Sequence, residues 1–184
     1  MELNFEDVVL PHLDAAYRLA RFLTGTEEDA EDVVQEAALR ALRYFRTFSG
    51  GNGRAWFLRI VRHICYDSRG DKREAAADIF DEQKHTTSRL TPEMLLLQED
   101  NVSLIEDAMS DLPPRFRELL VLRELEGLSY RELADVLRVP IGSVMSGLSR
   151  AREAFRRALA VELHRRERPA STSPFACGPR VSAT

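Results

Sequence analysis

The sequence predicts an all-α protein made of two small helical bundles. Apolar residues recur at spacings of three and four along most of the chain, and almost no stretch alternates with a period of two. Periodicity is lost at residues 70–90, which are polar, and again after residue 168, where Pro, Ser, Ala, Gly and Thr dominate. We therefore expect a first domain at 1–70, an acidic linker at 71–94, a second domain at 95–167 and a disordered tail at 168–184.

The first domain is expected to hold three helices. A stretch at 5–23 bends near Pro11, and Gly25 is placed to end it. Thr26 is placed to cap a second helix, whose opening turns are acidic and therefore favourable at a helix N-terminus. A glycine-rich loop at 49–53 precedes a third helix at 54–68. The predicted buried residues are Val34, Ala37, Ala38, Ala41, Leu42 and Phe45 on the second helix and Phe57, Ile60, Val61 and Ile64 on the third.

The second and third helices each carry a polar face. On the second, charged groups surround one leucine, a pattern that suits a protein-binding patch: Asp32, Gln35, Glu36, Leu39 and Arg43. On the third, a basic stripe with an aromatic suits a nucleic-acid backbone: Arg59, Arg62, Tyr66 and Arg69, with His63 beside them. The loop at 49–53 suits the lip of a pocket for one unstacked base. Solvated faces and a flexible connector explain the same patterns, so the residues alone leave these interpretations open.

A helix at 91–109 is expected to lead from the linker into the second domain. A proline pair interrupts the chain, and a further helix follows at 114–124 until Gly127 ends it. Ser129 and Glu132 have the spacing of a capping box, which predicts a helix from Tyr130. Pro140 then suits the first turn of a longer helix. This order of helix, tight turn and helix is typical of a DNA-binding helix-turn-helix.

The residues of the helix-turn-helix divide into an inner and an outer set. The first helix turns Leu133, Ala134 and Leu137 inward, and the second carries one apolar stripe formed by Val144, Leu148, Ala151, Phe155 and Leu159. The outer set of the second helix is Ser143, Ser146, Ser149, Arg150 and Glu153, flanked by Met145 and Arg152. Short hydroxyls beside arginines suit base edges and phosphates, so this helix is predicted to read duplex DNA.

Composition limits the classes of function. The net charge of −4 divides into −2 for residues 1–70 (9 basic, 11 acidic), −7 for 71–111 (4 and 11) and +5 for 112–184 (13 and 8), so the predicted DNA-reading segment is basic. No run reaches the length of a membrane span, and Cys65 and Cys177 form no ligand pattern. Cys65 is expected in the core. We expect a cytoplasmic protein with no cofactor, no metal site and no catalytic constellation.

Three stretches together resemble the extracytoplasmic-function (ECF) group of bacterial RNA polymerase sigma factors. They are residues 23–43, with the run Asp29-Ala-Glu-Asp-Val-Val-Gln-Glu36, residues 54–67, which open a helix with Trp56, and residues 112–152, which end in Ser149-Arg-Ala-Arg152. With the helices around them they cover most of residues 10–165. The resemblance implies an alternative sigma factor without catalysis of its own, with sigma region 2 in the first domain and region 4 in the second.

The resemblance also implies a role for each face. Asp32, Gln35, Glu36, Leu39 and Arg43 would dock on the β′ clamp helices of the polymerase core, and the second domain would meet the β flap. The −10 element would be melted and held as a single strand by Ser49, Gly50, Asn52, Arg54, Trp56, Arg59, Arg62, His63 and Tyr66. The −35 element would be read as a duplex by Ser143, Met145, Ser146, Ser149, Arg150 and Arg152. An anti-sigma factor is a further expected partner, and Trp56 has a competing role in the core.

The chain departs from the family pattern at several points. Members often carry a cation where this chain has Met145 and Gly147, and commonly an Asn where it has His63. The sequence preferences of the family therefore do not transfer. Two other classes stay open: a stand-alone helix-turn-helix repressor, which would bind duplex DNA without polymerase, and a sigma-like decoy for an anti-sigma factor, which would lack transcription.

Overall fold

The structure, a computed structural model, describes residues 4–68 and 99–167. Within these two stretches every regular element is helical, which confirms the predicted all-α class. The helices are α1 (Phe5–Val9), α2 (Leu13–Thr24), α3 (Glu27–Tyr44), α4 (Gly53–Ser68), α5 (Glu99–Ser110), α6 (Pro114–Leu120), α7 (Tyr130–Leu137) and α8 (Ile141–Glu167). We call residues 4–68 the N-terminal unit and residues 99–167 the C-terminal unit.

Local signals set the helix ends of the N-terminal unit where the sequence places them. The expected bend at Pro11 is a 3₁₀ turn, Leu10–His12, between α1 and α2. Gly25 ends α2 with a φ of 94°, a left-handed conformation that favours glycine. The Thr26 hydroxyl accepts a hydrogen bond from the Asp29 amide at 3.2 Å and so caps α3.

The predicted buried side of α3 needs one correction. Ala37 and Ala41 are buried as expected, but Leu42 is 57% exposed, and Val33 takes its place in the core. The cause is the register of the helix: Val33, Ala37 and Ala41 recur every four residues on one line, whereas Leu42 lies a further 100° round the axis. On α4 the core residues Phe57, Val61 and Ile64 are buried, and so is Cys65.

The C-terminal unit is built around α8. This long helix packs against α5, α6 and α7. The helix expected at 114–124 changes after Leu120 into a π-helical turn, Val121–Leu125, and Gly127 follows with a φ of 65°. The expected helix start at residue 91, the linker at 71–94, Arg69, Cys177 and the tail at 168–184 lie outside the described residues.

The two units pack directly on each other. Helix α4 contacts α7, and α2 contacts both α6 and the π-helical turn. Buried residues of both units, from Val9 and Phe57 to Leu122 and Leu148, form one continuous apolar cluster. The surfaces of the two units that face each other are therefore covered in this arrangement.

Candidate nucleic-acid and protein interfaces

The helix-turn-helix forms as its sequence signals predict. The Ser129 hydroxyl accepts a hydrogen bond from the Glu132 amide at 3.2 Å, and the Glu132 carboxylate accepts one from the Ser129 amide at 2.7 Å, which completes the capping box. Arg138 ends α7 in the left-handed region with a φ of 55°. The amide of Ser143 donates to the carbonyl of Pro140 at 2.9 Å as the next helix begins. These local bonds fix the sharp turn between α7 and α8.

The exposed face of α8 differs from the predicted one at Ser143. Its side chain is 1% exposed, so it cannot meet DNA in this arrangement. Ser143, Gly147 and Ala151 recur every four residues and lie beside Val144 and Leu148, and these five residues are all buried. The buried stripe is thus wider than its apolar members indicate, because small residues at 143 and 147 pack closely. Met145 is 54% exposed, and Ser146, Ser149 and Arg150 are half-buried.

Arg152 is held in place by the C-terminal unit itself. Its Nη2 and Nε atoms lie 2.6 and 3.0 Å from Oε1 of Glu124, which belongs to the π-helical turn. The carboxylate orients the guanidinium at the edge of the helix-turn-helix and neutralises part of its charge. A phosphate or base that engages Arg152 must therefore compete with Glu124.

The loop before α4 brings flexible backbone to an aromatic cluster. Gly50 and Gly51 have φ values of 88° and 99°, and the Asn52 side chain caps α4 by accepting a hydrogen bond from the Ala55 amide at 2.9 Å. The Trp56 ring lies 5.0 Å from the ring of Phe48 and 6.3 Å from that of Phe45, measured between centroids. Trp56 is half-buried, so it joins the core on one side and keeps one edge towards the loop.

The basic stripe of α4 is only partly exposed, which corrects the prediction for two of its residues. His63 is exposed and Arg59 is half-buried, but Arg62 and Tyr66 are buried. Both contact Glu118 of the C-terminal unit: Arg62 Nε lies 2.7 Å from Oε1, and the Tyr66 hydroxyl donates to Oε2 at 3.1 Å. The Arg62 guanidinium also lies over the Tyr66 ring, 5.0 Å from its centroid. The packing of the other unit, which periodicity does not reveal, buries these residues.

Burial dominates the electrostatics around Glu118. It raises the pKa of Glu118 above its usual value, although Arg62 and Tyr66 oppose this shift. Burial together with the nearby carboxylate also raises the pKa of the Tyr66 phenol, so this hydroxyl keeps its proton and donates it to Glu118. The cluster therefore holds a cation, a carboxylate and a neutral phenol away from water.

Glu126 forms a second link between the units. Arg18 Nε donates to Oε1 at 2.5 Å, and Arg54 Nη2 donates to Oε2 at 2.7 Å. Burial alone would raise the pKa of Glu126, but its hydrogen bonds and charge pairing with Arg18 and Arg54 outweigh burial, so the pKa lies below its usual value. Two cations of the N-terminal unit thus share one carboxylate of the other.

A third link joins the glycine-rich loop to the helix-turn-helix. The Asn52 Nδ2 atom donates to Oε1 of Glu132 at 2.5 Å. Beside this contact lies an open cleft between the two units; its walls include Ser49, Gly50, Trp56 and Arg59 from one side and Asp135 and Arg138 from the other. Partial burial and the charge of Arg138 lower the pKa of Arg59, while Asp135 opposes the shift. With Arg59 and Arg138 against Asp135, the walls of the cleft carry a net positive charge.

Sequence reasoning missed the three carboxylates Glu118, Glu126 and Glu132 as contact residues between the units. One signal was present for Glu118: it precedes Leu122 by four residues, and both therefore face the same side of one helical run. No comparable signal marks Glu126, because its partners lie far away in the sequence.

The outward face of α3 is exposed as predicted. Asp32, Gln35, Glu36, Leu39 and Arg43 are all exposed, and Leu39 is 62% exposed. Glu36 pairs with Arg40 on the next turn at 2.6 Å. Because Leu42 lies three residues after Leu39 and is also exposed, the two form a small apolar patch among charges.

The described residues contain no group of His, Cys, Asp and Glu suited to hold a metal ion. Among them, no helix combines the length and the apolar character that a membrane crossing requires.

Comparison with protein families matches both units. The family described as Sigma-70 region 2 matches residues 8–75, and the family described as Sigma-70, region 4 matches residues 103–155. The two matches follow each other along the chain in the order of the N-terminal and C-terminal units.

Several curated proteins are similar over most of the chain. An ECF RNA polymerase sigma factor, SigE of Mycolicibacterium smegmatis, is 34% identical over 85% of this chain, which spans 62% of that relative's length. The RNA polymerase sigma-H factor of Pseudomonas aeruginosa is 32% identical over 77% of this chain and 78% of its own. The ECF RNA polymerase sigma-E factor of Escherichia coli is 33% identical over 68% of this chain and 71% of its own length.

Two solved structures share the fold. The sigma factor RpoE of Bartonella quintana, in complex with the anti-sigma factor NepR, superposes with a TM-score of 0.66 at 26% identity, covering 85% of this chain and 97% of that one. CnrH in complex with the cytosolic domain of CnrY superposes with a TM-score of 0.63 at 23% identity, covering 85% of this chain and 88% of that one. This second similarity shows the fold alone.

Proposed function

The chain belongs to the ECF group of RNA polymerase sigma factors, and from that premise we propose that it is a dissociable specificity subunit of RNA polymerase. It joins the core enzyme, reads a −35 element as duplex and melts a −10 element, so that transcription starts at a defined set of promoters. The observation that carries this proposal is the order of the two units, with a region 2 match on the unit that holds α4 and a region 4 match on the helix-turn-helix.

The −35 element is proposed to lie against the start of α8. The helix-turn-helix sends this helix into a major groove, where its residues meet base edges and phosphates. Removing the buried Ser143 from the expected set leaves Met145, Ser146, Ser149, Arg150 and Arg152. Because Met145 and Gly147 bring no charge, the contribution of this helix to DNA affinity rests on its arginines.

The −10 element is proposed to lie along the loop at 49–53 and the exposed part of α4. A base leaves the stack at a cost of a few kcal/mol, which aromatic stacking of about 1–3 kcal/mol per base and cationic contacts offset. The residues available for this are Ser49, Gly50, Trp56, Arg59 and His63. Asn52 and Arg54 belong to the same proposed surface and become available once Glu132 and Glu126 have moved away from them. Arg62 and Tyr66 become available only after Glu118 has moved away from them.

Binding to the polymerase core is proposed for α3, with Asp32, Gln35, Glu36, Leu39 and Arg43 on the β′ clamp helices and the C-terminal unit on the β flap. The apolar patch of Leu39 and Leu42, surrounded by charges, supports a protein contact. The protein has no catalysis of its own in this proposal, and a protein that works on the polymerase works in the cytoplasm. The Bartonella complex supports an anti-sigma factor as a further partner.

Run-off transcription tests the proposed function. Purified chain and bacterial core polymerase are mixed with a library of promoter fragments, and the transcripts are sequenced. Promoter-specific transcripts that require both components are expected. Duplex binding without any transcript would instead identify a repressor, and binding of an anti-sigma factor without DNA binding or transcription would identify a decoy.

A further inference from the structure

The carboxylates that join the two units occupy the surface proposed for single-stranded DNA. On the basis of the proposed function, we propose that Glu118, Glu126 and Glu132 of the C-terminal unit act as an internal competitor of the −10 strand for the N-terminal unit. The occupant is a segment of the same chain, and the two bound states exclude each other. The first state is closed, with the units packed together, and the second is open, with the strand bound.

The contact with Glu118 covers the middle of α4. Arg62 and Tyr66 lie on the same helix as Arg59, along the stripe that suits a phosphate backbone, yet both give their polar atoms to Glu118. A carboxylate and a phosphate accept the same charge-assisted hydrogen bonds from arginine. Glu118 therefore engages the groups that a phosphate of a bound strand would engage.

The contact with Glu126 covers the start of α4. Arg54 follows the glycine-rich loop, and its Nη2 atom lies 2.7 Å from Oε2 of Glu126, whose side chain is 1% exposed. Arg18 of α2 pairs with the other oxygen of the same carboxylate. One carboxylate thus pairs with two cations of the N-terminal unit.

The contact with Glu132 involves the loop itself. Asn52 donates to Glu132, the same carboxylate that completes the capping box of α7. Across the cleft, Asp135 and Arg138 face Trp56 and Arg59. A single strand that follows α4 past Trp56 needs the space that α7 fills.

The ion pairs between the units contribute little to the stability of the closed state, which rests mainly on the apolar cluster that the units share. A buried ion pair such as Arg62–Glu118 gains little net free energy, because desolvation of both charges offsets their attraction. Arg59 and Arg138 share the cleft and carry like charges. A DNA strand can pair with the cations of the N-terminal unit in place of the carboxylates. Because the strand binds the open state more tightly than the closed state, it shifts the population towards the open state.

Replacement of Glu126 tests the competition. Glu126→Gln removes one charge and keeps the shape of the side chain, and the partners Arg18 and Arg54 are partly exposed, whereas Arg62 beside Glu118 is buried. The matched control is Glu106→Gln, the same chemical change at an exposed position of α5 in the same unit. The two variants and the wild-type chain are titrated with a fluorescent random-sequence single strand of about 12 nucleotides. The distance between the units is followed in parallel by labels on Glu28→Cys and Arg157→Cys in a Cys177→Ser background.

We expect Glu126→Gln to bind the strand about threefold to tenfold more tightly than the wild-type chain and Glu106→Gln, because less competition remains. We also expect the strand to lengthen the distance between the labels in the wild-type chain. Equal affinities for all three proteins together with an unchanged distance would overturn the competition and leave the −10 assignment intact. If neither the wild-type chain nor the two variants bound the strand, both the competition and the −10 assignment would be overturned.

Discussion

Nε of Arg62 lies 2.7 Å from Oε1 of Glu118, and both side chains are almost fully buried where α4 of one unit meets α6 of the other. The resemblance to sigma factors assigns Arg62 to DNA, whereas the structure pairs it with a carboxylate of its own chain. The pair therefore links the stability of the closed arrangement to the availability of the proposed DNA surface.

The Arg62–Glu118 pair predicts a strongly non-additive mutant cycle. Arg62→Met leaves Glu118 buried without its nearest cation, which is expected to lower the free energy of unfolding by about 3–5 kcal/mol. Arg62→Met with Glu118→Leu replaces both charges by apolar groups and should recover most of that loss. Urea denaturation of the two single variants and the double variant measures the coupling. Losses that simply add would show that the two side chains do not stabilise each other.

The ion pairs of Glu126 should make the free energy of unfolding depend on pH in the acidic range. Its pKa in the folded chain lies below the ordinary value of 4.5. Stabilisation by its pairs with Arg18 and Arg54 is therefore fully present above that value and is lost as the pH falls through the lower, folded pKa. Glu126→Gln should weaken the fall of the unfolding free energy with falling pH below about pH 5, and Glu106→Gln should not. Parallel acid limbs for the two variants would contradict the assigned pairing.

The capping box predicts the stability of α7. Ser129→Ala removes the hydroxyl that accepts from the Glu132 amide, and it should lower the free energy of unfolding by about 1 kcal/mol. Ser129→Thr keeps a hydroxyl and should retain most of the stability. Thermal unfolding followed by circular dichroism compares the two variants. An equal loss in both would mean that the hydroxyl does not contribute as a cap.

A phosphate contact by Arg150 should contribute to the salt dependence of binding to a duplex promoter. Arg150→Ala should weaken binding and lower the slope of log affinity against log salt by about one unit, because one phosphate contact is lost. Arg157→Ala on the same helix is the control, since Arg157 is 75% exposed and lies beyond the helix-turn-helix. Filter binding over a series of salt concentrations measures both. Identical slopes for the two variants would remove Arg150 from the DNA surface.

The apolar patch on α3 predicts the affinity for polymerase core. Leu39→Asp and Leu42→Asp place a charge in the patch and should each weaken binding to the core at least tenfold, by about 1.4 kcal/mol. Both leucines are exposed, so the stability of the chain should change little. Val161→Asp, at an exposed valine of α8, is the control. Binding of fluorescent chain to the core measures the effect, and unchanged affinity for both leucine variants would rule out this face.

Local sequence signals predict the helix ends of this fold well, but they do not predict which distant segments contact each other. Gly25, Thr26 and Ser129 act within four residues of their own position, so the sequence around each of them contains the whole interaction. Ser143 and Leu42 lie on faces that their polarity does not predict, because helix register decides the burial of each side chain. Arg62 has the periodicity of a solvated face, and only the packing of α6 against α4 reveals its partner. Pairing between distant segments leaves no periodic trace in the sequence.

Promoter opening tests the central claim most directly. Permanganate oxidises unstacked thymines, so it reports whether the −10 strand is single-stranded when the chain, core polymerase and a promoter fragment selected by its binding to the chain are combined. We predict reactive thymines at the −10 element only when both proteins are present, and weaker reactivity with Trp56→Ala. A promoter that stays unreactive while the chain protects its −35 duplex would contradict the account and identify a DNA-binding protein that does not open promoters.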